Sequence, residues 1–434
     1  MPSPSTTRAP SSSRLSARDL FAGISGNVME WYDFAVYGYF AEIIGAMFFP
    51  SKDPTVSLLA AFGVFAGGYL MRPLGGLVFG HIGDRLGRRR ALTISSLMMG
   101  IPTALIGFMP TYAQIGLLAP TGIMLLRLLQ GLSVGGEYTS SAVFVVERAP
   151  VERRGFYGSW VVWGSVTGIV IGSGTAALLN GVLGAAALRS WGWRVPFVAG
   201  ILIAIYSFAL RRTLADEPPP AHDGRPPIVE AVREHWRAML QAAGLSLLNA
   251  VAFYTVFVYV VTYIQLFDHL PAAKALDINT LNMVAILILL PFFGWLSDRV
   301  GRKTVTIGAA LLLAAFAWPL FALIHSDAPV SIFLGQFGFA ALLAAYVGVG
   351  PAMMVEAFPR DVRCSAVSTS YNLVLGIFGG TAPIVATYLI QRTHDDLSPA
   401  YYIMAAACLS AVAIFTMKRA PEQGPEPVRP VGPR

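Results

Sequence analysis

Gly80-His-Ile-Gly-Asp84-Arg-Leu-Gly87-Arg-Arg is a short glycine-rich turn carrying one acid and a cluster of arginines, and the chain contains it twice. Its second copy reads Gly294-Trp-Leu-Ser-Asp298-Arg-Val-Gly301-Arg-Lys. A further pair runs in step with it: Glu147-x-x-Pro150-x-x-x-Arg154 is echoed by Glu356-x-x-Pro359-x-x-x-Arg363. In both cases the copies lie close to half of the 434 residues apart, so the chain is two related halves in tandem.

Outward from these turns the sequence is apolar. It is 55% hydrophobic and 13% charged, with a mean hydropathy of +0.61, outside the usual range of water-soluble domains. A hydrocarbon core takes ~20 apolar helical residues to cross, and twelve such stretches follow one another. They fall near 21 to 48, 56 to 79, 91 to 110, 115 to 146, 156 to 183, 194 to 210, 239 to 267, 276 to 296, 304 to 325, 329 to 356, 364 to 391 and 399 to 417. The predicted fold class is therefore an all-α integral membrane protein, with twelve transmembrane helices in two six-helix halves. The divisions are a cytoplasmic tail (1–20), an N-terminal six-helix bundle (21–210), a cytoplasmic linker (211–238), a C-terminal bundle (239–417) and a second cytoplasmic tail (418–434).

Charge fixes the expected orientation, because loops rich in Lys and Arg stay on the cytoplasmic side. Of the 31 basic residues, Lys52, Arg189, Arg194, Lys274 and Arg392 fall on the far side, and Arg72 and Arg127 fall inside spans. Every other one lies on the side of the two signature turns, which predicts that both termini are cytoplasmic. The net charge of +7 then follows from membrane topology, and no nucleic-acid partner is needed to explain it. No cleavable signal is expected in the Ser- and Pro-rich first twenty residues. Cys364 and Cys408 lie inside spans without metal-ligand or disulfide spacing, so no metal site is expected.

The paired G-x-x-x-D-R-x-G-R-[RK] turns resemble the loop signature of the major facilitator superfamily. Gly26-Asn-Val-Met-Glu30-Trp-Tyr-Asp33-Phe, Arg72-Pro-Leu-Gly-Gly and Arg127-Leu-Leu-Gln-Gly-Leu-Ser-Val-Gly-Gly-Glu137-Tyr are similar to its metabolite:proton symporter family. So are Trp191-Gly-Trp-Arg-Val-Pro-Phe, Glu356-Ala-Phe-Pro and Gly379-Gly-Thr-Ala-Pro383. The resemblance runs from about residue 20 to 417. It implies the major facilitator fold, a bacterial plasma (inner) membrane location, and proton-driven uptake of a small metabolite. Substrates across that family include citrate, dicarboxylates, shikimate, proline and betaine.

An aspartate ending one helix and arginines opening the next can pair across a glycine turn and latch one face of a transporter shut. The gate residues expected from this are Asp84, Arg88, Asp298 and Arg302, with Glu147, Arg154, Glu356 and Arg363 as further partners. Arginines that served only as topology anchors would give no reason for an aspartate at the same place in both turns.

Ionisable groups inside spans are costly and mark pathways or relays. Glu30, Asp33, Arg72, Arg127 and Glu137 are of this kind, all in the N-terminal half. Glu30, Asp33 and Glu137 are the proton-coupling candidates, since a carboxylate can gain a proton as its cavity closes and lose it as the cavity opens. At ~1.5 Å per residue, Arg72 and Glu137 lie about 12 and 15 Å from the signature side of their spans, where they are expected to meet as a structural pair or a functional one. Arg127 lacks an acid three or four residues away, so its partner is either a carboxylate of the first span or the substrate. Arg127 and Arg72 are candidate substrate-binding residues, together with Tyr37, Tyr259, Tyr263, Gln336 and Asn372. Gln265, Asn282 and Tyr371 offer further polar groups, and Phe267 continues the aromatic stripe of the seventh span. The glycines of the fifth span, Gly164, Gly168 and Gly172, mark a close-packing face.

No nucleotide-binding loop and no hydrolase or zinc-protease motif occurs, so an enzyme or an ATP-driven pump is not expected. Two buried arginines favour a carboxylate such as citrate or a dicarboxylate, carried with protons by a monomer that needs no cofactor. A zwitterion such as proline or glycine betaine is the alternative. A membrane receptor without transport activity is the rival from another class.

Overall fold

The computed structural model describes residues 15–212, 214, 225–267 and 270–418. Residues 213 and 215–224 of the expected linker and most of both tails lie outside the described residues, as do the side chains of Gln265 and Phe267.

Lipid offers no hydrogen-bond partners to a bare backbone, so each apolar run closes its own bonds as a helix. Helix α1 (Ala17–Tyr39) starts at a capping box, in which Ser16 Oγ accepts from Asp19 N at 3.1 Å and Asp19 accepts from Ser16 N at 3.2 Å. A break at Phe40 separates it from a short helix, Ala41–Phe48, so the first expected span is two helices rather than one. There follow α2 (Pro54–Arg85), α3 (Arg88–Phe108), α4 (Leu118–Arg148), α5 (Arg154–Val182) and α6 (Arg194–Arg212). The second half holds α7 (Pro227–Ile264), α8 (Ala272–Val300), α9 (Arg302–Ile324), α10 (Pro329–Glu356), α11 (Arg363–Thr393) and α12 (Ser398–Thr416). Among the described residues eleven helices are long and apolar enough to cross a membrane, and α1, whose apolar run is interrupted by Glu30 and Asp33, makes the twelfth span. No strand occurs among the described residues.

Two stretches differ from the expected pattern. Helix α7 begins at Pro227, inside the stretch read as linker, and its helical path is broken at His235 (φ −122°, ψ 16°). Further along, Asn249–Tyr259 is π-helical, which turns Phe253 and Tyr254 toward the other half.

The packing repeats as the sequence does. In the first half α1 packs on α5 and α6, α2 on α4, and α3 on α4 and α6. In the second, α7 packs on α11 and α12, α8 on α10, and α9 on α10 and α12. Gly164, Gly168 and Gly172 seat α5 directly on α1, where added Cβ atoms would strike Ile24, Val28 and Ala35. The two most extensive contacts between the halves are α2 with α11 and α5 with α8, and they are equivalents under the repeat. Gly87 (φ +97°) and Gly301 (φ +106°) open α3 and α9 with a backbone conformation closed to most residues, which lets each signature turn reverse within two residues.

The surface is apolar and the centre is charged, the reverse of a water-soluble protein. Phe415 is 76% exposed and Ile288 72%, whereas Arg127 is 2% exposed and Glu30 and Asp33 are fully buried. The face carrying the two signature turns is called the signature face below.

Candidate functional site

At the signature face the residues expected to form a latch come together, and each aspartate finds partners across the seam between halves. Asp84, ending α2, accepts hydrogen bonds from the backbone N–H groups of Cys364 (3.0 Å) and Ser365 (2.8 Å), which open α11. Asp298, ending α8, does the same for Gly155 (2.8 Å) and Phe156 (2.7 Å), which open α5. Each aspartate therefore caps a helix of the opposite half, where unsatisfied N–H groups and the helix dipole favour an anion. The arginine four residues on completes each cluster. Arg88 Nη1 lies 2.7 Å from Asp84 while Nη2 reaches Glu147 at 3.3 Å and the Arg360 carbonyl at 2.8 Å. Arg302 pairs with Asp298 at 3.1 Å and Glu356 at 2.8 Å, and also donates to the Val151 carbonyl. Arg363 joins Glu147 at 2.8 Å, and Arg154 approaches Glu356 at 3.6 Å. All eight expected gate residues meet in two equivalent clusters, and in this structure both are closed. The capped helix ends were not legible as partners. Their signal is the small residue, Gly155 or Cys364, that directly follows each Glu-x-x-Pro-x-x-x-Arg run.

Deeper in the first half, Asp33 is held from three directions. Arg127 Nη1 reaches its Oδ2 at 2.5 Å, while Gln130 Nε2 (3.0 Å) and Thr103 Oγ1 (2.9 Å) reach its Oδ1. The Arg127 guanidinium lies 3.8 Å from the centroid of the Tyr37 ring, whose hydroxyl donates to the Ala61 carbonyl. Of the two partners open to Arg127, the structure supplies the first-span carboxylate.

Glu137 does not meet Arg72, contrary to expectation. It pairs with Arg211, assigned from sequence to the linker, and accepts from Ser95. Arg211 ends α6 and turns inward to full burial, where it also donates to the Ala22 carbonyl at 3.1 Å. Gly26 makes room for the pair, since a Cβ there would overlap the Glu137 carboxylate. Position along a helix does not reveal this partner, because what matters is which way α6 faces.

Arg72 instead sits at the seam. Its Nε approaches Asn372 Oδ1 of α11 at 3.4 Å, its guanidinium lies 5.3 Å from the Tyr69 ring centroid, and its Nη1 makes no hydrogen bond. Asn372 is fixed by donating to the Gly135 and Ser368 carbonyls. Around it, Tyr69 and Tyr254 hydroxyls bond across the seam at 2.7 Å, Tyr138 and Tyr371 stack at 4.6 Å, and Trp31 meets Phe253 edge-on. Glu30 is fully buried in the same region, and neither of its oxygens accepts a hydrogen bond.

Tyr259, Tyr263 and Gln336 are not brought to Arg72. Tyr259 accepts from Thr387, Tyr263 bonds His325 Nδ1 (3.0 Å) and the Asp396 carbonyl (3.1 Å), and Gln336 joins Asn279, Asn282 and the Val256 carbonyl. Tyr254, one to two turns earlier on α7, occupies the seam instead.

Known proteins bear on this arrangement. Residues 20–219 match the "Sugar (and other) transporter" family model and residues 271–433 the "Major Facilitator Superfamily" model. The chain is 36% identical to a proline/betaine transporter of Salmonella typhimurium, over 91% of this chain and 81% of that one. It is 34% identical to an ectoine/proline transporter of Corynebacterium glutamicum, over 91% of this chain and 82% of that one. The solved proton:xylose symporter XylE superposes with a TM-score of 0.73, covering 92% of this chain and 94% of its own at 17% identity, which speaks for the fold alone. With its repeated six-helix halves and its share of identity to these relatives, the chain belongs to the major facilitator superfamily, in the family that its relatives named proline/betaine transporters represent, and is a multi-pass membrane transporter rather than an enzyme.

Proposed function

We propose that this transporter takes up a small zwitterion of the proline or betaine class together with protons, across a bacterial inner membrane with the signature face toward the cytoplasm. The observation that carries the reading is the pairing of Arg127 with Asp33. A citrate-like or dicarboxylate substrate calls for two guanidinium groups, and one of the two in-span candidates is already neutralised. Arg72 then offers a single anion site beside aromatic faces that suit a cationic end. The names of the relatives, which are transporters of proline, betaine and ectoine, favour the same substrate class over organic acids.

The proton enters the cycle at Asp33. Its carboxylate is balanced by Arg127, and protonation would dissolve that pair and free a guanidinium beneath Tyr37. Loss of the pair changes how α1 and α4 hold each other, and both helices line the seam that must rock for access to alternate. The closed signature-face clusters hold the complementary state, with the opposite side the one to open.

Uptake into proteoliposomes with an imposed pH gradient tests the reading. Proline or betaine should accumulate and carry protons with it, while citrate and succinate should not. Accumulation of the organic acids without the zwitterions would overturn it.

A further inference from the structure

We propose that Glu30 reads the N–H groups on the cationic end of the substrate, and so sets the preference between zwitterions with a protonated amine and those with a quaternary ammonium. The inference rests on the zwitterion reading above and adds a residue-level rule for selectivity.

Glu30 and Asp33 share one face of α1, three residues apart, but their surroundings are opposite. Asp33 has an arginine, an amide and a hydroxyl. Glu30 has none: among the described residues it is the one fully buried acid with no hydrogen bond to either oxygen. Asp84 and Glu137 are each pinned by an arginine. Burial is the largest influence on Glu30, and after it come the charges of Arg72, then Glu137 and Asp33. Glu137 and Asp33 are already engaged elsewhere, which leaves Arg72 as the counter-charge, and Arg72 also keeps an unbonded Nη1. A carboxylate and a guanidinium that are buried together, yet each short of hydrogen bonds, are expensive unless something completes them.

A zwitterion completes both. Its carboxylate satisfies the Arg72 fork, and its cation falls beside Glu30 and the rings of Tyr69, Tyr254 and Trp31. There the two substrate types part. A secondary ammonium such as that of proline has N–H donors, and a carboxylate oxygen is the strongest acceptor for them. A trimethylammonium has no donor and is held by aromatic faces, so Glu30 gives it only a diffuse field.

The test is Glu30→Gln, which keeps the shape and removes the charged acceptor, read by substrate counterflow in proteoliposomes without a proton gradient. Half-saturation for proline should rise between about tenfold and a hundredfold, and that for glycine betaine by less than about threefold. Across proline, N-methylproline and N,N-dimethylproline, the penalty of the substitution should shrink as N–H groups are lost. If the variant does not fold, Glu30→Asp should show the same order of penalties at smaller size. Equal losses for proline and betaine, or none for either, would refute the rule. Loss of proton-driven accumulation with the counterflow ratio unchanged would refute it too, by making Glu30 a proton carrier. A wild type that exchanges neither zwitterion would instead bring down the functional reading itself, and this rule with it.

Discussion

Asp84→Asn is the most revealing single change at the latch. Two bonds to Asp84 cross between halves, those from the Cys364 and Ser365 amides at 3.0 and 2.8 Å, and they exist only while the signature face is closed. The bond from Arg88 stays within one half and does not count toward closure. Hydrogen bonds to a charged group contribute about 1.5–3 kcal/mol each, against about 1 for neutral pairs. An asparagine can still accept one bond through its oxygen, while its NH2 faces the second amide as donor against donor. The closed state should lose about 3 kcal/mol, which at 1.4 kcal/mol per tenfold is roughly a hundredfold in the population of the open signature face. The seam supplies its own reporter. Cys364 is fully buried, with its Sγ packed under Gly83, and opening uncovers it. In a Cys408→Ser background, a membrane-permeant maleimide should label Cys364 of the variant roughly a hundredfold faster than in the parent. A labelling rate within threefold of the parent would refute the latch and reduce Asp84 to a loop charge.

Asp298→Asn should open the same face, because its contacts with Gly155 and Phe156 repeat those of Asp84, and the two substitutions together should add in the logarithm of the labelling rate. Asp33→Asn should abolish proton-driven accumulation while counterflow persists, as measured by pH-gradient uptake beside exchange. Arg127→Lys should keep substrate affinity within about tenfold and displace the pH profile of uptake, since its partner is Asp33 rather than substrate; a severe loss of binding would return Arg127 to the substrate site. Gly26→Ala should destabilise the folded transporter by at least about 1–3 kcal/mol, read as a lower midpoint in detergent thermal unfolding, because its methyl would collide with the Glu137–Arg211 pair.

The fold was legible from quantities that run along one dimension. Bilayer thickness sets the length of each apolar run, and the duplicated turn with its aspartate marks the two halves and the charged residues that meet between them. None of these depends on how helices rotate about their axes, which is why Asp84, Arg88, Asp298 and Arg302 were found with their partners Glu147 and Glu356. The pairing of the deep charges depends on nothing else. Glu137 was expected to meet Arg72 because both lie at similar depth, yet the phase of α6 turns Arg211 inward to Glu137, and the phase of α2 turns Arg72 toward Asn372. Likewise the π-helical stretch of α7 decides that Tyr254, not Tyr259 or Tyr263, reaches the seam. Depth in the membrane is written in residue number at a fixed rise per residue, but facing is set by the packing of neighbours, and the sequence fixes that only when the whole bundle assembles.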